Sequence, residues 1–364
     1  MPISELGYRH WNGRRTHWLS RSLAIARSEI GVAYKSSKLL RRFMIFAWMP
    51  ILYFCPFFLA IGYAMDPTNS LEEGGILTEI VTEVFPRQTL EMMRENPEVA
   101  LPAIWSLAFY YFFAYTQSFF SMIVVAIVGP PLIAKDMKSK AFLVYFSKPI
   151  RPWQYLLGKL TTVMFFVFSM TLFPALLLYA VGVGLSPSPG ALLATLPTIF
   201  KIALSSILTA APIGLIVLLM SSFTKDRKIA TFLWVATWLF GEIAFRVLMF
   251  GGQLSSEVQP PRWAGLLSIR EMTTRATSGI FEVRESLYQL LTTFQDPDGR
   301  FEHMLRGIAS DSGDVHFADN PHSADILNIA GSGYPPSVSI AGLLIISVIC
   351  GWIVQRRAKG QVRI

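Results

Sequence analysis

Six predominantly apolar runs, each long enough to cross a bilayer, leave this chain little choice of fold. They fall at about Phe43–Met65, Leu101–Ala134, Tyr155–Val183, Leu196–Phe223, Ile229–Phe250 and Ser337–Val354. In hydrocarbon the backbone must satisfy its own hydrogen bonds, so a span is either a helix of about 20 residues or a strand of a closed barrel. Barrel strands alternate in polarity over about ten residues, and these runs do not. The expected fold class is an all-α integral membrane protein with six transmembrane helices. Only 15% of the 364 residues are charged, against about a quarter in soluble domains. Cys55 and Cys350 both lie inside apolar runs, which favours small buried side chains over a disulfide or a metal site.

The polar remainder divides the chain into four parts: residues 1–42, the first five spans over 43–250, a segment over 251–336, and the last span with its tail over 337–364. In the first part Leu19, Leu23, Ala26, Ile30 and Ala33 recur at spacings of three and four, with Arg21, Arg27, Lys35 and Lys38 off that stripe. That pattern predicts an amphipathic helix lying along the membrane interface; a soluble cap is the alternative. Gly129-Pro130-Pro131 predicts a kink late in the second span, or a helix projecting beyond the membrane, and Pro174 interrupts the third. In the large segment, residues 263–294 can hold two short helices, with Leu287, Leu290, Leu291 and Phe294 on one face. Residues 263–280 are apolar enough to lie on or dip into the outer leaflet.

An even number of spans puts both termini on one side, and charge identifies it. The N-terminal part, the 135–159 stretch, the 225–228 turn and the C-terminal tail carry 22 Lys and Arg against Glu5, Glu29, Asp136 and Asp226. The opposite side carries nine bases and 19 acids, with Glu242 and Arg246 left inside the fifth span. The positive-inside rule therefore places both termini in the cytoplasm of a multi-pass cell-membrane protein. It also explains the net charge of +8 without nucleic acid, because the basic surface is the one that faces the lipid bilayer's cytoplasmic side.

Between the second and third spans runs KDMKSKAFLVYFSKPIRPWQYLLGK, residues 135–159. Lys138–Ser147 is compatible with helix, and Pro149 and Pro152 then force a turn. A stiff, charged elbow between two spans is suited to receiving a push from a partner.

Candidate chemical groups are few. His303, His316 and His322 with Asp311, Asp314, Asp319 and Asp325 match neither a helix-based metal site nor a calcium loop, and an ordinary polar loop accounts for them. Gly158-Lys159-Leu160 lacks the earlier glycine and the hydroxyl of a phosphate loop. Glu242 and Arg246 are one helical turn apart and pair on one face; the pair fits a translocation path or a self-neutralised structural contact equally. Tyr115 and Gln117 give the second span a polar edge that suits a cavity. No catalytic centre and no metal site emerges.

The elbow also carries a resemblance. Ile133-Ala134 with Asp136, then Tyr145, Ser147 and Pro149, then Tyr155-Leu156 with Gly158-Lys159 resemble the permease subunits of type-2 ABC exporters, the ABC-2 family. Ile25–Ile30 looks like that family's connecting helix, and the basic end Arg356–Gly360 is similar too. The resemblance covers the six-span layout. It implies a permease that pairs with a second copy and couples to a separate ABC ATP-binding subunit. ATP and Mg would be bound there, and this chain would bind no cofactor and be no enzyme. It makes the loop 135–155 a coupling element, with Asp136, Lys140, Ser147, Pro149 and Arg151 at the ATPase contact and Glu29 beside them. The outer stretches 66–99 and 251–336 are longer than the family pattern, and Pro130-Pro131 departs from it. Two other classes stay open. One is a permease-like mechanical transmitter acting on an extracytoplasmic protein partner. The other is an ion-coupled secondary transporter, for which Glu242 and Arg246 are the only intramembrane charges and no internal repeat is visible.

Overall fold

The structure is a computed structural model of the chain and describes residues 17–66, 68–69, 75–85, 87–142, 145, 150–185, 188–254, 263–293 and 334–360. Every regular element among them is helical, and six stretches are long and apolar enough to cross a membrane. Helix α1 (Trp18–Ser36) precedes the first span, made of α2 (Lys38–Phe46) and α3 (Pro50–Met65). The polar segment that follows holds α4 (Gly75–Val84) and α5 (Arg87–Glu95). The second span joins α6 (Pro97–Tyr111), a π-helical stretch (Phe112–Gln117) and α7 (Ser118–Lys138). The third consists of α8 (Pro152–Phe168) and α9 (Leu172–Gly184), and the fourth of α10 (Pro189–Thr195) and α11 (Pro197–Phe223). The fifth lies in α12 (Arg227–Leu254). A 3₁₀ turn (Ala264–Leu267), α13 (Ile269–Ile280) and α14 (Val283–Thr293) come next, and α15 (Pro336–Gly360) carries the sixth.

Proline marks where several of these helices begin. Pro50, Pro97, Pro152, Pro189 and Pro197 each sit in a first turn, where the missing N–H removes no hydrogen bond. Pro174 acts as expected, although the break falls at residues 169–171, ahead of it. A proline ring clashes with the carbonyl four residues back, so the helix ends before the proline and restarts around it.

Pro130 and Pro131 behave differently. Helix α7 runs through both to Lys138, and the irregular turn of the second span is the π-helical stretch instead. Ser221 of α11 repairs the ladder at the prolines. Its hydroxyl donates to Pro130 O at 2.6 Å and accepts from the N–H groups of Ile133 and Ala134 at 3.1 and 3.0 Å. Gly129 lets α11 approach, since a Cβ there would run into Val217. Sequence alone points to the prolines as the kink; a neighbouring serine instead bridges the Pro130 carbonyl and the N–H groups of the following turn.

Contacts between chain-distant residues sort the helix ends into two groups. At one end α1 packs on the start of α8, and Arg357 of α15 donates to Ser222 O of α11 at 3.1 Å and stacks on Phe223. At the other, Arg94 of α5 donates to Ala64 O and to Asn69 O, closing the end of α3. There too Lys201 of α11 binds Glu282 of the α13–α14 turn at 2.7 Å. The core is divided the same way. One cluster, around Phe58, Trp105, Phe109 and Phe281, fills the end that holds α4, α5 and α14. A second, around Tyr155, Phe166, Val217 and Trp234, fills the end that holds α1 and the basic tail. Phe58 and Trp105 stack with ring centroids 4.4 Å apart.

The two short helices expected in residues 263–294 are present as α13 and α14, with Leu287 and Leu290 of the expected apolar face buried, while the Leu291 side chain and Phe294 lie outside the described residues. Helix α13 packs on α15 and α11, and α14 on α6, so both are built into the bundle. The helices of the 66–99 segment carry no comparable sequence signal. Leu90 and Met93 of α5 are nonetheless fully buried.

Candidate functional site

Two charged clusters stand out, one near each end of the bundle. At the basic end the centre is Lys159, seven residues into α8 and fully buried. Its Nζ lies 2.7 Å from Glu29 Oε1 of α1 and 2.7 Å from Asp136 Oδ2 of α7. Tyr155, one turn earlier on α8, donates its hydroxyl to the same Asp136 oxygen at 2.8 Å. The rings of Tyr145 and Tyr155 flank the ammonium, with centroids 5.8 and 5.3 Å away, within cation–π range. Burial pushes the Tyr145 hydroxyl above its ordinary pKa, the ammonium of Lys159 opposing the shift.

Local sequence explains how three helices meet on one lysine. Helix α1 turns Ser22, Ile25 and Ala26 inward, with Glu29 following on the same face. Gly158 lets the helices touch, because a Cβ there would come within 2.8 Å of Ser22 O and 2.9 Å of Ile25 Cβ. The stripe expected to face the membrane interface is split: Leu19 and Leu23 are exposed, whereas Ala26 joins the protein contact. The short side chains make the protein contact, and the leucines are left for an apolar surface outside the chain.

Glu29 and Asp136 are therefore turned toward Lys159 rather than outward. Lys140 is exposed and has a φ of 53°, the left-handed conformation that stops α7. After that break Ala141, Phe142 and Tyr145 are again helical, within the stretch 138–147 read as compatible with helix. Arg151 is exposed at the head of α8, where its backbone N–H donates to Gln154 Oε1 at 3.0 Å. Ser147 and Pro149 lie outside the described residues.

At the opposite end the centre is a carboxylate. Glu242 Oε1 accepts from Arg246 Nε at 2.7 Å and from an Arg270 guanidinium nitrogen at 2.9 Å, and Oε2 accepts from Ser268 Oγ at 2.9 Å. Gly241 admits the 3₁₀ turn, since a Cβ there would strike Leu267 O. Beside it Phe113, Thr209, Trp238, Arg270 and Thr273 enclose a space of about 10 Å³, the size of one water. Tyr115 and Gln117 belong to the adjoining π-helical stretch, but their side chains lie outside the described residues. The expected Glu242–Arg246 pair is present; Ser268 and Arg270, from 26 and 28 residues further on, have no local sequence signal.

Among the described residues no three His, Cys, Asp or Glu side chains gather to hold a metal ion. The histidines and aspartates of residues 303–325 lie outside the described residues. Cys55 and Cys350 are free thiols. Chemically, the basic-end cluster is a lock joining α1, the end of the second span and the start of the third. The other cluster ties the fifth span to α13. No model of a known protein family and no curated protein matches the chain.

Proposed function

We propose that this chain is the permease subunit of an ATP-driven exporter of the ABC-2 type, working beside a second permease copy and a separate ATP-binding subunit. The observation that carries this reading is the buried Glu29–Lys159–Asp136 lock. It makes α1 and the ends of the second and third spans one rigid body, directly beside the exposed elbow bearing Lys140 and Arg151. A push on that elbow would move spans rather than a loop. ATP and Mg belong to the partner, and this chain is non-catalytic.

The basic end is the cytoplasmic one in this reading, and the cell membrane, in a bacterium the inner membrane, is the location. Leu52, Phe240 and Val348 on the first, fifth and sixth spans are 72%, 73% and 72% exposed, so lipid or a second copy covers those faces. Force transmission to an extracytoplasmic partner is the second reading. It is favoured by the way α13 and α14 are fastened to the spans through Lys201–Glu282 and Glu242–Arg270.

The test uses the exposed elbow rather than the lock. Affinity-tagged full-length chain should co-purify with an ATP-hydrolysing subunit whose activity it stimulates. Lys140→Glu with Arg151→Glu should lower that stimulation about tenfold while thermal unfolding in detergent stays unchanged. Undiminished stimulation in the double variant, or transport by the chain alone in liposomes, would sink the proposal.

A further inference from the structure

Between α1, the end of α7 and the turn before α12 lies a cavity of about 400 Å³, within the ~300–1,000 Å³ range of small-ligand sites. Lys135, Lys138, Lys225 and Arg227 stand around it, all of them exposed. Among the described residues, no ion pair engages any of these four. Of the two acids that line it, Glu29 is turned to Lys159, and Asp226, whose Oδ1 accepts from the Lys228 backbone N–H at 2.9 Å, keeps its charge. Four bases outnumber these acids, so the balance is positive.

The cavity's other wall is aliphatic, formed by Val32, Leu40, Ile127 and Leu132. Ile127 precedes Lys135 by eight residues on one helix, about 12 Å along its axis at ~1.5 Å per residue. The space therefore runs from a ring of cations down into the apolar depth of the second span. Four cations select an anion. The aliphatic depth selects one with a hydrocarbon tail, since nothing lining it would stack on a nucleobase.

We propose that this cavity binds one anionic phospholipid from the leaflet on the basic side. Its phosphate sits among Lys135, Lys138, Lys225 and Arg227, and the start of an acyl chain lies along Val32, Ile127 and Leu132. Such a lipid would bridge α1, the second span and the turn between the fourth and fifth. It requires no ATP-binding partner, so its success or failure is independent of the exporter reading.

The test titrates purified full-length protein with phosphatidylglycerol or phosphatidylcholine and reads bound lipid by native mass spectrometry. Phosphatidylglycerol should bind at least tenfold more tightly. Each base near an anionic lipid is worth about 1 kcal/mol, roughly fivefold, so Lys135→Gln with Lys138→Gln should weaken binding about 25-fold. Val32→Asp should weaken it as well without touching a base, and it serves if the lysine variant unfolds. Arg356→Gln, on the tail outside the cavity, should leave binding unchanged. Equal affinity for the two lipids, or no loss in either the lysine variant or Val32→Asp, would overturn the proposal. So would competition by glycerol 3-phosphate as effective as by the lipid, which would make the ligand a free phosphate ester.

Discussion

At the basic end one ammonium sits between two carboxylates; at the other, one carboxylate sits among two guanidiniums and a hydroxyl. The arrangements invert each other in charge, and their burial differs as much. Lys159 is fully buried and its partners Asp136 and Glu29 are 10% and 19% exposed, whereas Arg246 is 66% exposed. A central charge with no access to water must be paired at every moment, so α1, α7 and α8 cannot separate without exposing it. A central charge with one solvent-facing partner can exchange that partner for water or a lipid headgroup. The first cluster is a rigid junction; the second is a fastening that can be loosened.

The comparison is broken most severely at Lys159. Lys159→Met leaves two buried carboxylates facing each other, and losing one member of a buried pair costs about 3–5 kcal/mol. Unfolding in mixed micelles should report that loss. Adding Glu29→Gln and Asp136→Asn should restore most of it, because a neutral, well-packed triad no longer leaves a charge unpaired. A Lys159→Met variant as stable as the parent would show that the junction is not held by charge.

How far sequence reveals these clusters depends on how far apart the partners lie. Glu242–Arg246 is visible because four residues on a helix are one turn, and the six spans are visible because each is a local run of apolar residues. Asp136, Glu29 and Lys159 can each be singled out within the elbow and connecting-helix resemblance. That they converge depends on α1 packing on α8, which the close approach at Gly158 permits and no periodicity encodes. The same holds for Ser221 at Pro130: a serine in an apolar span reads as unremarkable until the Pro130 carbonyl and the Ile133 and Ala134 N–H groups it bridges are in view. Helix α1 has two working faces, and the periodicity shows only one of them. Its leucines dominate the amphipathic pattern, but the contact is made by Ser22, Ile25 and Ala26, where smaller residues allow backbones to come close.

A smaller effect is expected at the other end. Glu242→Gln keeps acceptor and shape but removes the charge that holds Arg246 and Arg270, and Arg270 is only 28% exposed. Hydrogen bonds to charged groups contribute about 1.5–3 kcal/mol, and Arg246 can recover part of its loss in water, so the net cost should be about 1–2 kcal/mol. Faster hydrogen exchange confined to α13 and residues 264–267 would accompany it. A global loss as large as that of Lys159→Met would remove the distinction between junction and fastening.

The smallest effect should come from Arg246→Leu, and it sharpens the contrast furthest. Glu242 keeps Ser268 and Arg270, and an ion-pair partner as exposed as Arg246 contributes only about 0–1 kcal/mol. Stability should therefore barely change. If the fifth span takes part in transport, partner-stimulated activity should fall in this stable variant, because the residue lost is the one that can leave Glu242 for water. Unchanged activity would make Arg246 a neutralising contact and nothing more. Loss of stability beyond about 2 kcal/mol, above the range for an exposed pair, would show that Arg246 is held by Glu242 as tightly as Glu29 is by Lys159. The two ends would then be one design used twice.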